Sequence, residues 1–278
     1  MQRTIKRTIS CEGTGLFTGQ KVRLTFQPSK VDSGVTFIVN DTRISASIQN
    51  VLPQYRRNAI GADGIIIETI EHLMAALSGL GIANIDIDVA SSNESKSVEI
   101  ANTDGSAQFF VDLLLKAGIE EQRVPQKVLR IKEPVDYKDG ECSITALPNN
   151  NDCLAIDYTF SHSALIIGTQ RLSIKLIEDN FISEIAPART FCMADEVAHF
   201  LSQGLGKSAN YQNVLVVDND KIVQNALRFK DEFVRHKILD LIGDLYLLNV
   251  PLFAKITAVK TGHKQNIEFA RKLAEIKD

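Results

Sequence analysis

The sequence has few cysteines, no long apolar run and no excess of positive charge, and each of these absences excludes a class of protein. Only four of its 278 residues are cysteine, and none forms a CxxC pair. Reduced thiols in a cytoplasmic protein are therefore favoured over disulfides or a cysteine metal site. No apolar run is long enough to span a membrane, and the first ten residues lack the apolar segment of a secretory signal. A net charge of −3 gives no reason to expect nucleic acid as a partner.

The chain is long enough for one large domain or two ordinary ones, and the order of its predicted elements favours two. Hydrophobic residues make up 44% and charged residues 23%, as in a soluble globular protein. Short strand patterns are followed by longer patterns with helical spacing, and this order occurs twice. The later elements of each part are predicted at 69–79, 85–89 and 106–117, and at 231–248, 253–259 and 263–276. We predict an α+β fold of two similar domains, 1–124 and 125–278, with helices sandwiched between two sheets.

The segment 231–250, DEFVRHKILDLIGDLYLLNV, predicts a helix with two different faces. One face is apolar, because aliphatic residues recur at three- and four-residue spacing. These residues are Val234, Ile238, Leu241, Leu245 and Leu248. Another face is polar, since His236, Asp240 and Asp244 lie four residues apart and stack on one side of the helix. Such a stripe is typical of either a solvated surface or a metal site.

The presence of His72 on the first predicted helix favours the interpretation of this polar stripe as part of a metal site. If the two domains pack helix against helix, His72 meets His236 and Asp240. Two histidines and one carboxylate with an open position form the donor set of a catalytic zinc site, and they also suit ferrous iron. The polar stripe is narrow, and Asp240 and Asp244 repel each other unless a cation offsets them. The competing interpretation is that His236 and Asp240 form an ordinary surface pair.

Two further groups fit the chemistry of such a site. Glu71 lies one residue before the first histidine, so it points about a quarter-turn away, which suits a carboxylate that takes a proton from water beside a metal. His263 opens the last helix, where the helix dipole disfavours an imidazolium, and a charged His263 would need Asp244 as its partner. The alternatives are an exposed helical glutamate and a histidine that only fills a helix turn. No function is assigned to His162 or His199.

Ordered motifs along nearly the whole chain resemble those of one enzyme family. They are TIEHLMAAL at 69–77, DGSA at 104–107, ARTF at 188–191, LRF at 227–229, VRHKILD at 234–240 with GD at 243–244, and GH at 262–263. The chain thus resembles the UDP-3-O-acyl-N-acetylglucosamine deacetylases, zinc amidases at the committed step of lipid A biosynthesis. The glycine-rich GTGLFTG at 13–19 is similar to the opening motif of that family. The family fold, two α+β halves with sandwiched helices, agrees with the order of elements.

The resemblance implies the reaction and the central residues. The reaction is hydrolysis of the N-acetyl group of UDP-3-O-acyl-N-acetylglucosamine, with release of acetate. Zinc would be bound by His72, His236 and Asp240, and Glu71 would be the general base. His263 would stabilise the oxyanion and protonate the leaving amine.

The resemblance also implies supporting roles. Asp244 would orient His263, and Thr190 would help to hold the oxyanion. Lys237, Phe191 and Lys260 would contact the substrate. We expect a cytoplasmic monomer without a transmembrane segment.

Four departures from the family pattern bear on the substrate. Phe17 stands where the family usually has histidine, and Ala83 stands where an acid usually precedes Asn84. The loop Ser91–Ser97 lacks the usual Gly-Pro-Glu sequence. Ser208-Ala209 replaces a customary glycine pair in a region tied to acyl-chain passage, so added side chains could narrow an acyl tunnel.

These departures leave two alternatives to the deacetylase. One is a related metal-dependent amidase that acts on a different acyl-sugar. The other is a catalytically silent binding protein on the same fold, which the complete set of candidate catalytic residues disfavours.

Overall fold

The computed structural model describes residues 1–54, 56–91 and 95–276. Its helices are α1 (Glu71–Gly79), α2 (Gln108–Ala117), α3 (Glu178–Asn180), α4 (Ala194–Ser202), α5 (Glu232–Leu245) and α6 (His263–Ala274). Further helical turns, which do not have α-helical hydrogen bonding, are Ile48–Asn50, Phe181–Ile185 and Tyr246–Leu248. The strands are β1 (Gln2–Ile5), β2 (Ile9–Thr14), β3 (Lys21–Pro28), β4 (Val35–Val39), β5 (Thr42–Ser45), β6 (Val51–Leu52), β7 (Ala59–Ala62), β8 (Ile65–Glu68), β9 (Ile85–Ser91), β10 (Ser97–Glu99), β11 (Ile119–Gln122), β12 (Leu129–Arg130), β13 (Val135–Asp139), β14 (Cys142–Leu147), β15 (Leu154–Ser161), β16 (Thr169–Leu176), β17 (Phe191–Met193), β18 (Leu215–Asp218), β19 (Lys221–Ile222), β20 (Leu252–Phe253) and β21 (Lys255–Val259).

Two five-stranded sheets share one topology. The first has the order β2-β3-β9-β4-β5 and the second the order β13-β14-β21-β15-β16. In each sheet the third and fourth strands are parallel, and the other neighbours are antiparallel. The α+β fold class predicted from the sequence is confirmed. The repeated strand order, which no residue-level repeat revealed, supports two similar halves.

Alternation of apolar and polar residues explains why the central strands form these sheets. In β3, Val22, Leu24 and Phe26 are buried while their neighbours face outward. Leu24 pairs with Val89 and Phe26 pairs with Ile87 across β9. Strand side chains alternate between faces, so this register gives one apolar face that must be covered.

Helices cover the apolar faces. The α2 helix packs on β2, while α5 and α6 pack on strands of the second sheet, and α1 packs along α5. A single apolar core runs through both sheets and these helices. A Cβ atom at Gly243 would lie 2.1 Å from the backbone oxygen of Glu71, so glycine at this position lets the α1 and α5 backbones approach closely.

Smaller sheets lie beside the two large ones. One contains β10-β8-β7-β6, another contains β17-β18-β19, and two-stranded pairs join β1 to β11 and β12 to β20. The β1–β11 pair joins the segment before residue 125 to the first half. The β12–β20 pair joins the segment after it to the second half. They support the boundary at 124/125, which stays a prediction.

Most helices and central strands lie where the sequence predicts them, with differences at their ends. The predicted helix 231–248 is α5 followed by the turn Tyr246–Leu248. The alternation of residues 43–48 predicts one strand, but β5 ends at Ser45 and a helical turn begins at Ile48. Of the loop 91–97, residues 92–94 lie outside the described residues. None of the helices in the described ranges is long and apolar enough to cross a membrane.

Candidate metal centre and its cleft

Three donor side chains converge between α1 and α5. His72 on α1 and His236 and Asp240 on α5 are buried, and their donor atoms lie within 4.8 Å of one another. Asp240 Oδ1 lies 3.3 Å from His236 Nε2 and 3.8 Å from His72 Nε2. The two imidazole rings are 5.1 Å apart between centroids, at an angle of 85°. The structure therefore brings together, from both halves, the side chains that the sequence predicts as metal ligands.

The hydrogen bonds and protonation of these side chains fit a divalent cation. Asp240 Oδ1 is buried and has no hydrogen-bond partner among the described residues, which is costly unless a cation offsets it. His236 Nδ1 lies 3.1 Å from the backbone oxygen of Ala188, so Nδ1–H donates there and Nε2 keeps its lone pair. Burial lowers the pKa of His236, and burial with the neighbouring His236 lowers the pKa of His72 to about 3. Both imidazoles are neutral at neutral pH, as metal ligands must be.

Asp240 is held as a carboxylate by its neighbours. Burial favours its protonated form, but the positive charges of Lys237 and His263 oppose burial, and the pKa of Asp240 lies well below its usual range. Lys237 Nζ donates to Asp240 Oδ2 at 2.7 Å. One carboxylate oxygen is therefore committed to lysine, and the other is left for a ligand.

An unusual backbone conformation places Glu71 at the start of α1. The sequence predicts Thr69 as the helix N-cap, and this is wrong: Ile70 occupies the cap position and Thr69 has a φ of 61°. A β-branched residue rarely adopts this left-handed conformation. Thr69 is held there because its N–H donates to the Asn58 oxygen at 2.8 Å and its hydroxyl donates to Glu99 Oε1 at 3.1 Å. Tertiary hydrogen bonds thus replace the local cap.

Glu71 lies inside the site, so the alternative interpretation of Glu71 as an exposed glutamate on the helix surface is excluded. Only 3% of the residue is exposed. The Asn58 N–H donates to Glu71 Oε2 at 3.1 Å, and Oε1 lies 4.0 Å from His263 Nε2. Burial raises the pKa of Glu71 to about 7, although His263 lowers it. A carboxyl group with this pKa can accept a proton at neutral pH.

His263 and Asp244 form the predicted pair. His263 Nδ1 lies 3.1 Å and 3.0 Å from the two Asp244 oxygens, and His263 Nε2 lies 4.0 Å from Asp240 Oδ2. Burial alone would lower the pKa of His263, but the charges of Asp244 and Asp240 raise it to about 10. His263 is therefore an imidazolium at neutral pH, with Asp244 as the partner that the sequence predicts.

A cleft of about 760 Å³ opens onto these groups. Thr190, Phe191 and Lys237 line it, where the family resemblance places them. Thr190 is fixed by its backbone, since its N–H donates to the Gly105 oxygen at 2.7 Å and its oxygen accepts from Leu215 at 2.9 Å. Lys237 Nζ lies 5.9 Å from the centroid of the Phe191 ring. The three side chains therefore form one wall beside the metal ligands.

Lys260 lies apart from this group. Its Nζ donates to Glu141 Oε2 at 2.8 Å, and Lys260 is not among the described residues that line the cleft. A contact between Lys260 and a substrate would require this ion pair to open, and the contact stays a prediction.

The structure shows where two of the departures from the family pattern, Phe17 and Ser208-Ala209, lie relative to the cleft. Phe17 lines the cleft, and the Arg57 guanidinium lies 4.5 Å above its ring. Ser208 Oγ donates to the Gly15 oxygen at 2.6 Å, so this side chain is directed to the glycine-rich segment. Within the described chain, neither Ser208 nor Ala209 lines the cleft. A narrowing of the cleft by these side chains is therefore not supported.

Sequence reasoning missed several residues that hold the site. His162, to which no function was assigned, lines the cleft. Asn58 and Asn266 donate to Asp244. Arg189 and Glu232 form a buried ion pair with the Arg189 Nε donating to Glu232 Oε1 at 2.8 Å. Only Arg189 carried a sequence signal, because it lies in the ARTF motif.

Replacing Glu232 with alanine is expected to lower the free energy of unfolding by about 3–5 kcal/mol, because it leaves the Arg189 charge buried and unpaired. Side-chain exposure of the pair is 5% for Arg189 and 0% for Glu232. Arg189 lies between Ala188, whose oxygen accepts from His236 Nδ1, and Thr190, so the affinity of the three donor side chains for a metal ion should fall as well. Urea unfolding of the two proteins measures the change.

Asp152→Ala is the matched control. It removes the partner of Arg130 from an ion pair whose side chains are 46% and 76% exposed. Exposed pairs contribute at most about 1 kcal/mol. Equal losses of stability in the Glu232 and Asp152 variants would contradict the structural role of the Arg189–Glu232 pair.

Two imidazoles and a carboxylate, with a buried carboxyl group and an imidazolium beside them, are the groups that a metal-dependent hydrolase uses. The fold and site define that class. The family model described as UDP-3-O-acyl N-acetylglycosamine deacetylase matches residues 2–275. The chain belongs to this family, whose members hydrolyse an amide C–N bond.

Relatives named UDP-3-O-acyl-N-acetylglucosamine deacetylase cover nearly the whole chain. The chain is 40% identical over 276 residues to the UDP-3-O-acyl-N-acetylglucosamine deacetylase of Thermodesulfovibrio yellowstonii, covering 99% of this chain and 92% of the relative. Identity to the enzyme of that name from Oleidesulfovibrio alaskensis is 39%, with 99% and 89% covered. For the one from Chromohalobacter salexigens it is 36%, with 100% and 91% covered.

Proposed function

We propose that this protein hydrolyses the N-acetyl group of UDP-3-O-acyl-N-acetylglucosamine and releases acetate, the committed step of lipid A biosynthesis. The observation that carries the proposal is that Glu71, His263 and the three metal donors line the same cleft. Membership of the deacetylase family and the names of the relatives supply the substrate. The amide bond requires a nucleophile, an oxyanion site and a proton donor, and the cleft offers a residue for each role.

We assign the metal site to zinc, held by His72, His236 and Asp240. Two imidazoles and a carboxylate suit zinc, and they also accept ferrous iron. A bound zinc ion supplies a Lewis acid for an amide carbonyl and lowers the pKa of water. The unpartnered Asp240 Oδ1 supports a cation at this position.

Glu71 is the base in this mechanism. Its raised pKa, about 7, lets it take a proton from the attacking water and later give it up. The bond between the water oxygen and the acetyl carbon forms as the water loses that proton. The Asn58 N–H holds Glu71 Oε2, so Oε1 is the oxygen free to accept it.

His263 is the acid. Its charge stabilises the oxyanion that forms at the acetyl carbon, and the Thr190 hydroxyl assists from the adjacent wall. Collapse of the oxyanion breaks the C–N bond, and the sugar nitrogen takes a proton from His263 Nε2. Acetate and the free amine are the products. Asp244 keeps Nδ1 bonded throughout, so Nε2 is the nitrogen that faces the reaction.

Lys237 and Phe191 bind the substrate from the wall of the cleft beside the metal donors. Lys237 offers a cation 18% exposed at its side chain, and Phe191 offers an aromatic face. Lys260 would add a contact after its pair with Glu141 opens. Four free cysteines within the described chain support the proposed cytoplasmic location, and we propose that the enzyme acts as a monomer.

The test of this function is direct. Zinc-loaded protein is incubated with UDP-3-O-acyl-N-acetylglucosamine, and acetate and free amine are measured together by mass spectrometry. Equal amounts of both products are expected. The protein loaded with ferrous iron is assayed in parallel, which identifies the more active metal.

Substrate variants separate the deacetylase from its alternatives. A series of 3-O-acyl chains of different length measures the acyl preference, and UDP-N-acetylglucosamine without the acyl chain is the control. Turnover of a different acyl-sugar in preference to the UDP-linked one would favour a related amidase. Metal binding without hydrolysis of any of them would favour a silent binding protein and overturn the proposal.

A further inference from the structure

Asp244, the carboxylate behind His263, has no exposed surface and is surrounded by nitrogen donors. The Asn58 side-chain amide donates to Asp244 Oδ1. The Asn266 side-chain amide donates to Oδ2 at 2.8 Å. His263 Nδ1 faces both oxygens at almost equal distances. Each oxygen therefore has one amide donor of its own and shares the imidazole.

The two amides reach Asp244 from different parts of the fold. Asn58 lies just before β7 in the first half, while Asn266 lies on α6, three residues after His263. Asn58 is itself anchored, because its N–H donates to Glu71 and its backbone oxygen accepts from Thr69. One residue thus touches both the proposed base and the group that orients the proposed acid.

This arrangement fixes the plane of the carboxylate. Rotation of Asp244 about its last side-chain bond would break both amide hydrogen bonds, and a buried carboxylate without donors is costly. A fixed carboxylate plane in turn fixes the direction of the His263 ring. His263 Nε2 then stays 4.0 Å from both Glu71 Oε1 and Asp240 Oδ2.

We propose that Asn58 and Asn266 form an amide clamp on Asp244 and act as positioning residues for the acid His263. The clamp rests on the proposed function, since it sets the direction of proton delivery in that reaction. What matters in the clamp is the NH2 donor of each amide. Aspartate keeps the shape of asparagine but replaces the NH2 donor with an oxygen that repels the Asp244 carboxylate, whereas alanine removes the donor and the volume without adding that repulsion.

Asn58→Asp and Asn266→Asp are expected to lower kcat by about 10- to 100-fold, the usual effect of removing a partner behind a site residue. KM should change less than kcat, because the Asn58 amide, although Asn58 lines the cleft, donates to Asp244, and Asn266 is not among the described residues that line the cleft. Asn58→Ala should be no worse than Asn58→Asp. Zinc content is measured in each protein to show that the metal site is intact.

Asn84→Asp is the matched control. Asn84 is 2% exposed against 3% for Asn58, and its amide donates to Gln2 and Gln122 in the first half, at 2.7 Å and 2.6 Å. Its loss removes a buried amide donor at a distance from the cleft. A change of melting temperature without a change of kcat is expected.

A spectroscopic measurement tests the clamp without turnover. In zinc-loaded protein with 15N-labelled histidine, the Nδ1–H signal of His263 is expected to shift or broaden in both clamp variants and to stay unchanged in Asn84→Asp. This signal is read even in a protein that does not hydrolyse the UDP-sugar, so failure of the proposed function and failure of the clamp are distinguishable. An Asn58→Asp protein with an unchanged signal and kcat within two-fold of the original would overturn the clamp. If Asn58→Asp does not fold, Asn266→Asp decides by the same two measurements.

Discussion

Glu71→Gln is expected to lower kcat by about 10²- to 10⁴-fold, the range for loss of a general base, with the zinc content unchanged. Glutamine keeps the length of the side chain and can still accept the Asn58 N–H, but it cannot take a proton from water. Glu71 contributes no atom to the donor group of His72, His236 and Asp240. Steady-state kinetics with the UDP-acyl-sugar, together with metal analysis of the same samples, measures both quantities.

Two further variants show whether the missing basic group explains the loss of turnover in Glu71→Gln. Glu71→Ala removes the side chain and should also keep zinc while losing most turnover. Glu71→Asp keeps a carboxylate but withdraws it by one methylene, so its kcat should lie between those of the original protein and Glu71→Gln. Near-normal turnover of Glu71→Gln, with zinc bound, would remove Glu71 as the base.

The fold followed from the sequence wherever burial imposed a period on the residues. The helical spacing in 231–248 and the alternation in β3 and β9 both result from one apolar face against the core. Strands β1 and β11 were missed, because QRTI and IEEQ have no clear alternation and are held mainly by their mutual backbone hydrogen bonds. Thr69 has the local preference of a helix cap, but that preference ignores the tertiary hydrogen bond that its hydroxyl donates to Glu99.

Some residues of the site could likewise be predicted from spacing in the sequence, and others could not. Spacing on one helix suggested His236 and Asp240, and His72 joined them through the expected packing of the two halves. Thr190 and Phe191 depended on the family resemblance, because no local pattern marks them. Asn58 could not be predicted, since its partners lie 13 and 186 residues away and it belongs to a short irregular segment. Long-range contacts of single polar residues leave no period in a sequence.

Asp240→Ala and His236→Ala are expected to abolish stoichiometric zinc binding and to reduce turnover to background. Each variant removes one of three donors, and the remaining two come from separate helices that the metal would otherwise join. The second expected result is thermal: zinc should raise the melting temperature of the original protein, because a ligand at about 1,000 times its Kd stabilises the fold by about 4.1 kcal/mol. That rise should vanish in both variants. Metal analysis and calorimetry with and without zinc measure the two results.

His162→Ala is the matched control for metal binding, since His162 lines the same cleft outside the donor group. It should bind one zinc ion and keep the full thermal shift. A separate expectation concerns the stability of Asp240→Ala. The buried Oδ1 of Asp240 lacks a hydrogen-bond partner among the described residues. Without zinc, Asp240→Ala should therefore lose less stability than removal of an ordinary buried, hydrogen-bonded carboxylate would cause, because the substitution also relieves an unsatisfied oxygen. Full zinc retention in both Asp240→Ala and His236→Ala would show that the metal binds elsewhere, and the assignment of the site would fail.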